Sequence, residues 1–368
     1  MTEFFTFFVY LATLFSSVLL ARNGFHLNKL KYDRGNYFIV GCSLLVLVLV
    51  SGLRYDTGKD YQNYSYLYEE VQFMDNTAEL DMEIGYTVLV EFLNNLNLEV
   101  WSFFMISAFL TYILFFYSFN KYKPILYLGI FFYITYGFYF YSFNGVRQAI
   151  AMSALSVAVM FAQERKIVLY LVVILLGGLM HKSLFLFIPL YFVINQIRFS
   201  SLFWYLAFGI SLLLHFVPFD NLVDLYLLSE ILSGTQVDYG NFAMGLTENA
   251  NEAGSLTLGY LIRVGIGFFI LSFYSKLIKV EPSSLPYFTL ALIGIILYNS
   301  FSHILFMTRI NYYFLLFSTF ALAFIIRYLF VSNQLLLANS VLVFFIMLYC
   351  YGIYVGENGC SPYTFITF

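Results

Sequence analysis

The chain has 368 residues, 61% of them hydrophobic and only 11% charged, with a mean hydropathy of +0.81. Soluble globules carry about 25% charged residues, so that class is excluded and lipid is the expected main solvent. A net charge of −3 without any run of Lys or Arg excludes a nucleic-acid partner, and Cys42, Cys350 and Cys360 form neither a disulfide framework nor a Cys-rich metal site.

The first apolar stretch, Phe4 to Leu20, has no basic residue before it and is followed by Arg22, Lys29, Lys31 and Arg34. A signal peptide has the opposite order, so this reads as a retained first span with its N-terminus outside. Further apolar runs follow at 36–53, 101–119, 124–142, 146–162, 167–180, 183–197, 201–218, 258–275, 286–303, 309–326 and 335–352. The expected fold is therefore an all-α polytopic membrane protein of about twelve spans (eleven to fourteen), each near or below the roughly 20 residues a bilayer requires. Glu91, Asn94, Asn95 and Asn97 interrupt segment 84–98, which reads as a surface or re-entrant helix.

With that topology, twelve basic residues lie on one side: Arg22, Lys29, Lys31, Arg34, Lys121, Lys123, Arg165, Lys166, Arg198, Lys276, Lys279 and Arg327. The same side holds just three acids, Asp33, Glu164 and Glu281, and by the positive-inside rule it is the cytoplasm. Both termini then lie outside, with long external loops at 54–83 and 219–257. Counting 84–98 as a crossing would invert every later loop and place Lys121, Lys123, Arg165 and Lys166 outside. No repeat or soluble domain interrupts residues 1–368, which read as one membrane domain.

Six basic residues remain on the outer side against the bias: Arg54, Lys59, Arg147, Lys182, Arg263 and Arg309. Arg54 opens the densest polar cluster, with Asp56, Asp60, Tyr61 and Tyr64. Gly58 would allow a tight turn that folds both acids back toward Arg54. Arg147 and Gln148 open a helix of small residues, where helix polarity and a planar five-donor fork both favour an anion. His181 and Lys182 form a tight outer connection, and imidazole suits proton transfer near neutrality. His303 precedes Arg309 and Tyr312 across an outer helix junction. Arg263 lies about a turn inside its span, where it snorkels or lines a wet cavity.

Taken together, Arg54-x3-Gly58-x-Asp60-Tyr61-x2-Tyr64, Glu83-x-Gly85-Tyr86, Arg147-Gln148, His181-Lys182-Ser183 with Pro189, Arg309-x2-Tyr312-Tyr313-Phe314 and Pro362-Tyr363 resemble the EpsG family. That family is similar to Wzy-type bacterial polysaccharide polymerases. The resemblance implies a membrane glycosyltransferase or polymerase of the GT-C type. It would move a growing glycan from undecaprenyl diphosphate onto a lipid-linked repeat unit, at the outer face of the bacterial inner membrane, for O-antigen, capsule or exopolysaccharide. It also implies a possible chain-length regulator as partner.

In the residue reading, Arg147 and Arg309 bind diphosphate, Arg54 with Asp60 positions the acceptor, and Asp60 or His181 is the base. Asp56, Tyr61, Tyr64, Gln148, Lys182, Arg263, His303 and Tyr312 are supporting substrate contacts. No metal or other cofactor is called for. A flippase or exporter for the same lipid-linked glycan, or an O-antigen ligase, would draw on similar residues.

Overall fold

The computed structural model describes residues 2–26, 37–73, 82–217, 255–302 and 304–366. Its elements in chain order begin with α1 (Thr2–His26), α2 (Tyr37–Gly52), β1 (Arg54–Tyr55), α3 (Tyr61–Phe73), α4 (Ile84–Asn95) and α5 (Val100–Ser118). There follow α6 (Leu126–Thr135), α7 (Phe138–Asn144), α8 (Val146–Gln163), α9 (Ile167–Met180), α10 (Leu190–Val193) and α11 (Ser201–Leu214). The chain continues with α12 (Leu258–Val280), α13 (Leu285–Phe301), α14 (Leu305–Leu315), α15 (Phe317–Val331), α16 (Leu335–Tyr354) and β2 (Thr364–Phe365). The external loop expected at 219–257 lies almost wholly outside the described residues, as do positions 74–81 of the loop at 54–83.

The protein is an all-α polytopic membrane protein, and each of the twelve apolar runs contains helix. Among the described residues, seven helical segments are long and apolar enough to cross a bilayer, and α6 with α7 makes an eighth if that pair, bent by 59°, is one span. The remaining runs, α2, α9, the segment Lys182–Val193 and α11, are shorter apolar helices of 10–17 residues. At 1.5 Å per residue the 14 residues of α9 rise about 21 Å, well under the roughly 30 Å of hydrocarbon. The break after α6 falls at Gly137, whose φ of +96° is in the left-handed region open to glycine.

Small side chains place α8 at the centre. Every residue from Gln148 to Ala162 is buried, and the helix packs between α5 and α9. Alanine and serine let neighbouring backbones approach, which is how helices associate where lipid offers no hydrophobic drive. Helices at the periphery present bare apolar faces, for example Leu202, Leu206, Ile210 and Leu213 on α11. In water such a face would be a liability; against acyl chains it is the expected exterior.

The helix α4 carries apolar residues on both its buried and its exposed faces. Tyr86, Val90 and Leu93 are buried against the bundle, whereas Ile84, Val88 and Phe92, spaced by four, are exposed. Its 12 residues rise about 18 Å.

The C-terminal tail closes the same end of the bundle. Thr364–Phe365 pairs antiparallel with Arg54–Tyr55, and the Gly58 amide donates to the Gly359 carbonyl at 2.9 Å. Tyr10 donates to the Cys360 carbonyl at 2.7 Å and Tyr363 to the Val50 carbonyl at 2.7 Å. The polar turn at 54–60 is thereby held by the ends of α1, α2 and α7 together with the tail.

Candidate functional site

The site is built where α4 begins, α8 begins and α9 ends. Glu83 is the N-cap residue of α4, yet its carboxylate makes no capping bond. Instead one oxygen accepts from the Arg147 guanidinium on the first turn of α8, and the other contacts His181 Nδ1 at 2.7 Å beyond the last turn of α9. Glu83 is 3% exposed, and Arg147 and His181 only 16% and 14%, so solvent screens these pairs little. Burial by itself raises the Glu83 carboxyl, but the His181 hydrogen bond and the Arg147 charge outweigh it and hold the group below the usual carboxylate range.

Gly85 makes this geometry possible. A Cβ there would come within 2.7 Å of the Leu179 carbonyl oxygen and 2.8 Å of its carbonyl carbon. With glycine at this position α4 lies directly on the C-terminal end of α9, and Glu83 reaches His181. Together they wall a cleft of about 510 Å³ lined by Glu83, Ile84, Gly178, Lys182, Ser183 and Phe185. Lys182 is exposed at its rim, and Ser183 behind it pairs with the Tyr313 hydroxyl at 2.9 Å.

Asp60 and Arg309 complete the group. Burial pushes the Asp60 carboxyl up, against the opposing charges of Arg309, Arg147 and Lys59. Asp60 thus lies in the field of both arginines. Its amide donates to Asn144 Oδ1 at 3.3 Å, and Asn144 in turn donates to the Asn358 carbonyl at 2.8 Å. A Cβ at Gly58 would meet that same Oδ1 at 2.9 Å, and the φ of Gly58 is +104°, so the tight turn read from the sequence is present and needs glycine. Arg309 is exposed on α14, and its backbone is tied down: Gln148 Nε2 donates to the Arg309 carbonyl at 2.5 Å while Gln148 Oε1 accepts from the Tyr141 hydroxyl at 2.6 Å. Tyr312 stacks on Tyr141 with ring centroids 4.2 Å apart.

The structure separates Arg54 from this group. Its side chain is buried, with each guanidinium nitrogen donating to a backbone carbonyl: Nε to Thr57 at 3.0 Å, one Nη to Phe143 at 2.9 Å and the other to Ser51. The guanidinium also lies 4.3 Å from the Phe104 ring centroid and 4.8 Å from that of Phe143. The turn does not fold the acids onto Arg54: Asp56 accepts from Gln62 at 2.6 Å in an exposed contact. Tyr61 and Tyr64 are buried, Tyr61 stacked on Phe104 at 4.8 Å and Tyr64 beside Tyr86 and Phe103, with Arg147 over the Tyr86 ring at 5.4 Å. Arg263 lies apart from the Glu83 cluster, over Tyr298 at 5.0 Å and Tyr136 at 5.9 Å. His303 lies outside the described residues.

Glu83 is the residue that sequence reading left out of the candidate set. It stood in the Glu83-x-Gly85-Tyr86 motif and among the external acids, but was given no role in the site. The available signal was Arg147 itself, a cation against the topological bias that required a buried counter-charge from some distant acid.

Fold and site together define a polytopic membrane protein with an ionised, largely desolvated polar cluster at one end of its bundle. The sequence model of the EpsG family matches residues 37–365, and the chain belongs to that family. Neither the curated proteins nor the solved structures yield a match to it.

Proposed function

We propose that this chain is a polysaccharide polymerase that elongates a glycan carried on undecaprenyl diphosphate, at the outer face of the bacterial inner membrane. The observation that carries the reading is the gathering of Arg147, Arg309, Asp60, Glu83 and His181 at one end of the bundle. Family membership supports the polysaccharide-polymerase class. Twelve crossings with both termini outside remain the topology that the distribution of Lys and Arg favours.

In this mechanism Arg309 and Arg147 receive the diphosphate of the donor. An acceptor hydroxyl oxygen attacks the anomeric carbon, the bond from that carbon to the diphosphate oxygen breaks, and the electron pair leaves on the diphosphate. The arginines stabilise the charge that develops there, with planar forks suited to bidentate contact. The hydroxyl proton passes to Asp60, whose burial makes it a better base than an exposed carboxylate. Glu83 holds His181 by Nδ1, which leaves Nε2 as the nitrogen able to contact substrate, and it aligns Arg147 from beneath. No protein-held metal enters any step.

The experiment is reconstitution of the purified protein with lipid-linked repeat isolated from its host. Lengthening of the glycan ladder is expected, lost on Arg309→Ala. Transbilayer movement of the repeat with unchanged glycan length would make the protein an exporter. Transfer only onto lipid A core would make it a ligase.

A further inference from the structure

A second cavity lies at the other end of α7 from the Glu83 cluster. It measures about 170 Å³, and its lining includes Tyr136, Gly137, Phe140, Arg263, Gly352 and Glu357. Arg263 on α12 and Glu357 in the turn after α16 both line it. They do not close into an ion pair, because the ion pairs among the described residues are Arg147–Glu83, Lys166–Glu164 and His181–Glu83. Opposite charges around a small apolar-walled space attract strongly, so a gap between them requires scaffolding.

The scaffolding is visible. The bend at Gly137 leaves room beside the Glu357 carboxylate, where a Cβ on Gly137 would sit 3.5 Å from Oε1. On the other side a Cβ on Gly352 would sit only 2.8 Å from Oε2. The carboxylate is thus housed between two glycines. Arg263 is held against the Tyr298 and Tyr136 rings.

We infer that this cavity is a saccharide subsite that holds one neutral pyranose unit of the glycan. The inference rests on the polymerase reading for its substrate class and adds a place where that substrate is gripped. A sugar hydroxyl both donates and accepts, so neighbouring hydroxyls can satisfy an acceptor-only carboxylate and a donor-only guanidinium at once. Tyrosine rings supply flat apolar surface, the usual lining of a small-molecule pocket with a few placed polar groups. A phosphate would face the Glu357 carboxylate and is disfavoured. The stacked Tyr141–Tyr312 pair lies beside Gln148 and Arg309 of the first site, and α7, which runs from Gly137 at the cavity toward Arg147, spans only about 10 Å.

The test is saturation-transfer NMR on the purified full-length protein in detergent. The probe is the free oligosaccharide repeat, released from its lipid by mild acid and carrying no phosphate. Wild type and Arg309→Ala are expected to give transfer to the sugar protons. Glu357→Gln and Gly352→Ala are expected to lose it at least tenfold, with unchanged thermal unfolding in one or both. Full signal in Glu357→Gln and Gly352→Ala, no signal in wild type, or displacement of the sugar by inorganic pyrophosphate overturns the subsite. Elongation is assayed on the same preparations. Glu357-dependent sugar binding without any elongation would sink the polymerase reading and leave the subsite standing.

Discussion

His181 Nδ1 and a Glu83 carboxylate oxygen lie 2.7 Å apart, joining residues 98 positions distant in the chain, and the other Glu83 oxygen is taken by Arg147. This one carboxylate therefore sets the ring orientation of the histidine and the position of the arginine. Glu83→Gln keeps the shape but loses both charge-assisted contacts. Each such contact is worth roughly 1.5–3 kcal/mol, so the loss of even one in the transition state is expected to lower elongation by about 10–100-fold. In a double-mutant cycle with Arg147→Gln the two losses should be strongly non-additive. Additive losses would mean that the two residues act independently.

The same contacts give a pH dependence of stability. The Glu83 carboxyl is held below its usual range when folded, so its contribution is present above the unfolded value of about 4.3 and is lost as pH falls through the lower folded value. Thermal unfolding in detergent should show wild type losing stability over that acid window. Glu83→Gln should start lower and lack that component. Identical slopes for the two proteins would remove the linkage.

Asp60 predicts the opposite displacement. Burial raises its carboxyl, so the ionised base is present only above a value shifted upward from about 3.9. Elongation is expected to fall as pH drops through that raised value, and Asp60→Asn should be both slow and flat across the same range. An acid limb that persists in Asp60→Asn would assign the proton elsewhere.

Arg54 and Arg309 should separate structure from function. Arg54→Ala leaves buried carbonyls of Ser51, Thr57 and Phe143 without their donor, a cost of about 3 kcal/mol or more. Its melting temperature and membrane abundance should drop. Arg309 is exposed, so Arg309→Ala should unfold like wild type while making no polymer. A wild-type melting curve for Arg54→Ala would contradict its assignment to the scaffold.

The architecture was legible because lipid forces backbone groups to pair within each segment, so apolar length marks helices well. The turn at Gly58 was also readable, from glycine chemistry. Arg54 misled for a physical reason. An arginine in a polar run looks solvated, whereas its actual partners are carbonyls set by chain reversal at Thr57 and by a distant helix end at Phe143. Glu83 was hidden because its partners, Arg147 and His181, are close in space only after Gly85 lets α4 rest on α9. The break at His181 was legible too, since the run expected at 167–180 is the helix Ile167–Met180.

The central claim is that one polar site faces one compartment, and single-cysteine labelling tests it most directly. In a background lacking Cys42, Cys350 and Cys360, cysteines replacing the exposed Lys59, Lys182 and Arg309 are treated with a membrane-impermeant thiol reagent in intact cells. All three should label from outside, while Lys123→Cys and Lys166→Cys should label only after permeabilisation. A split of positions 59, 182 and 309 between the two conditions would contradict the account.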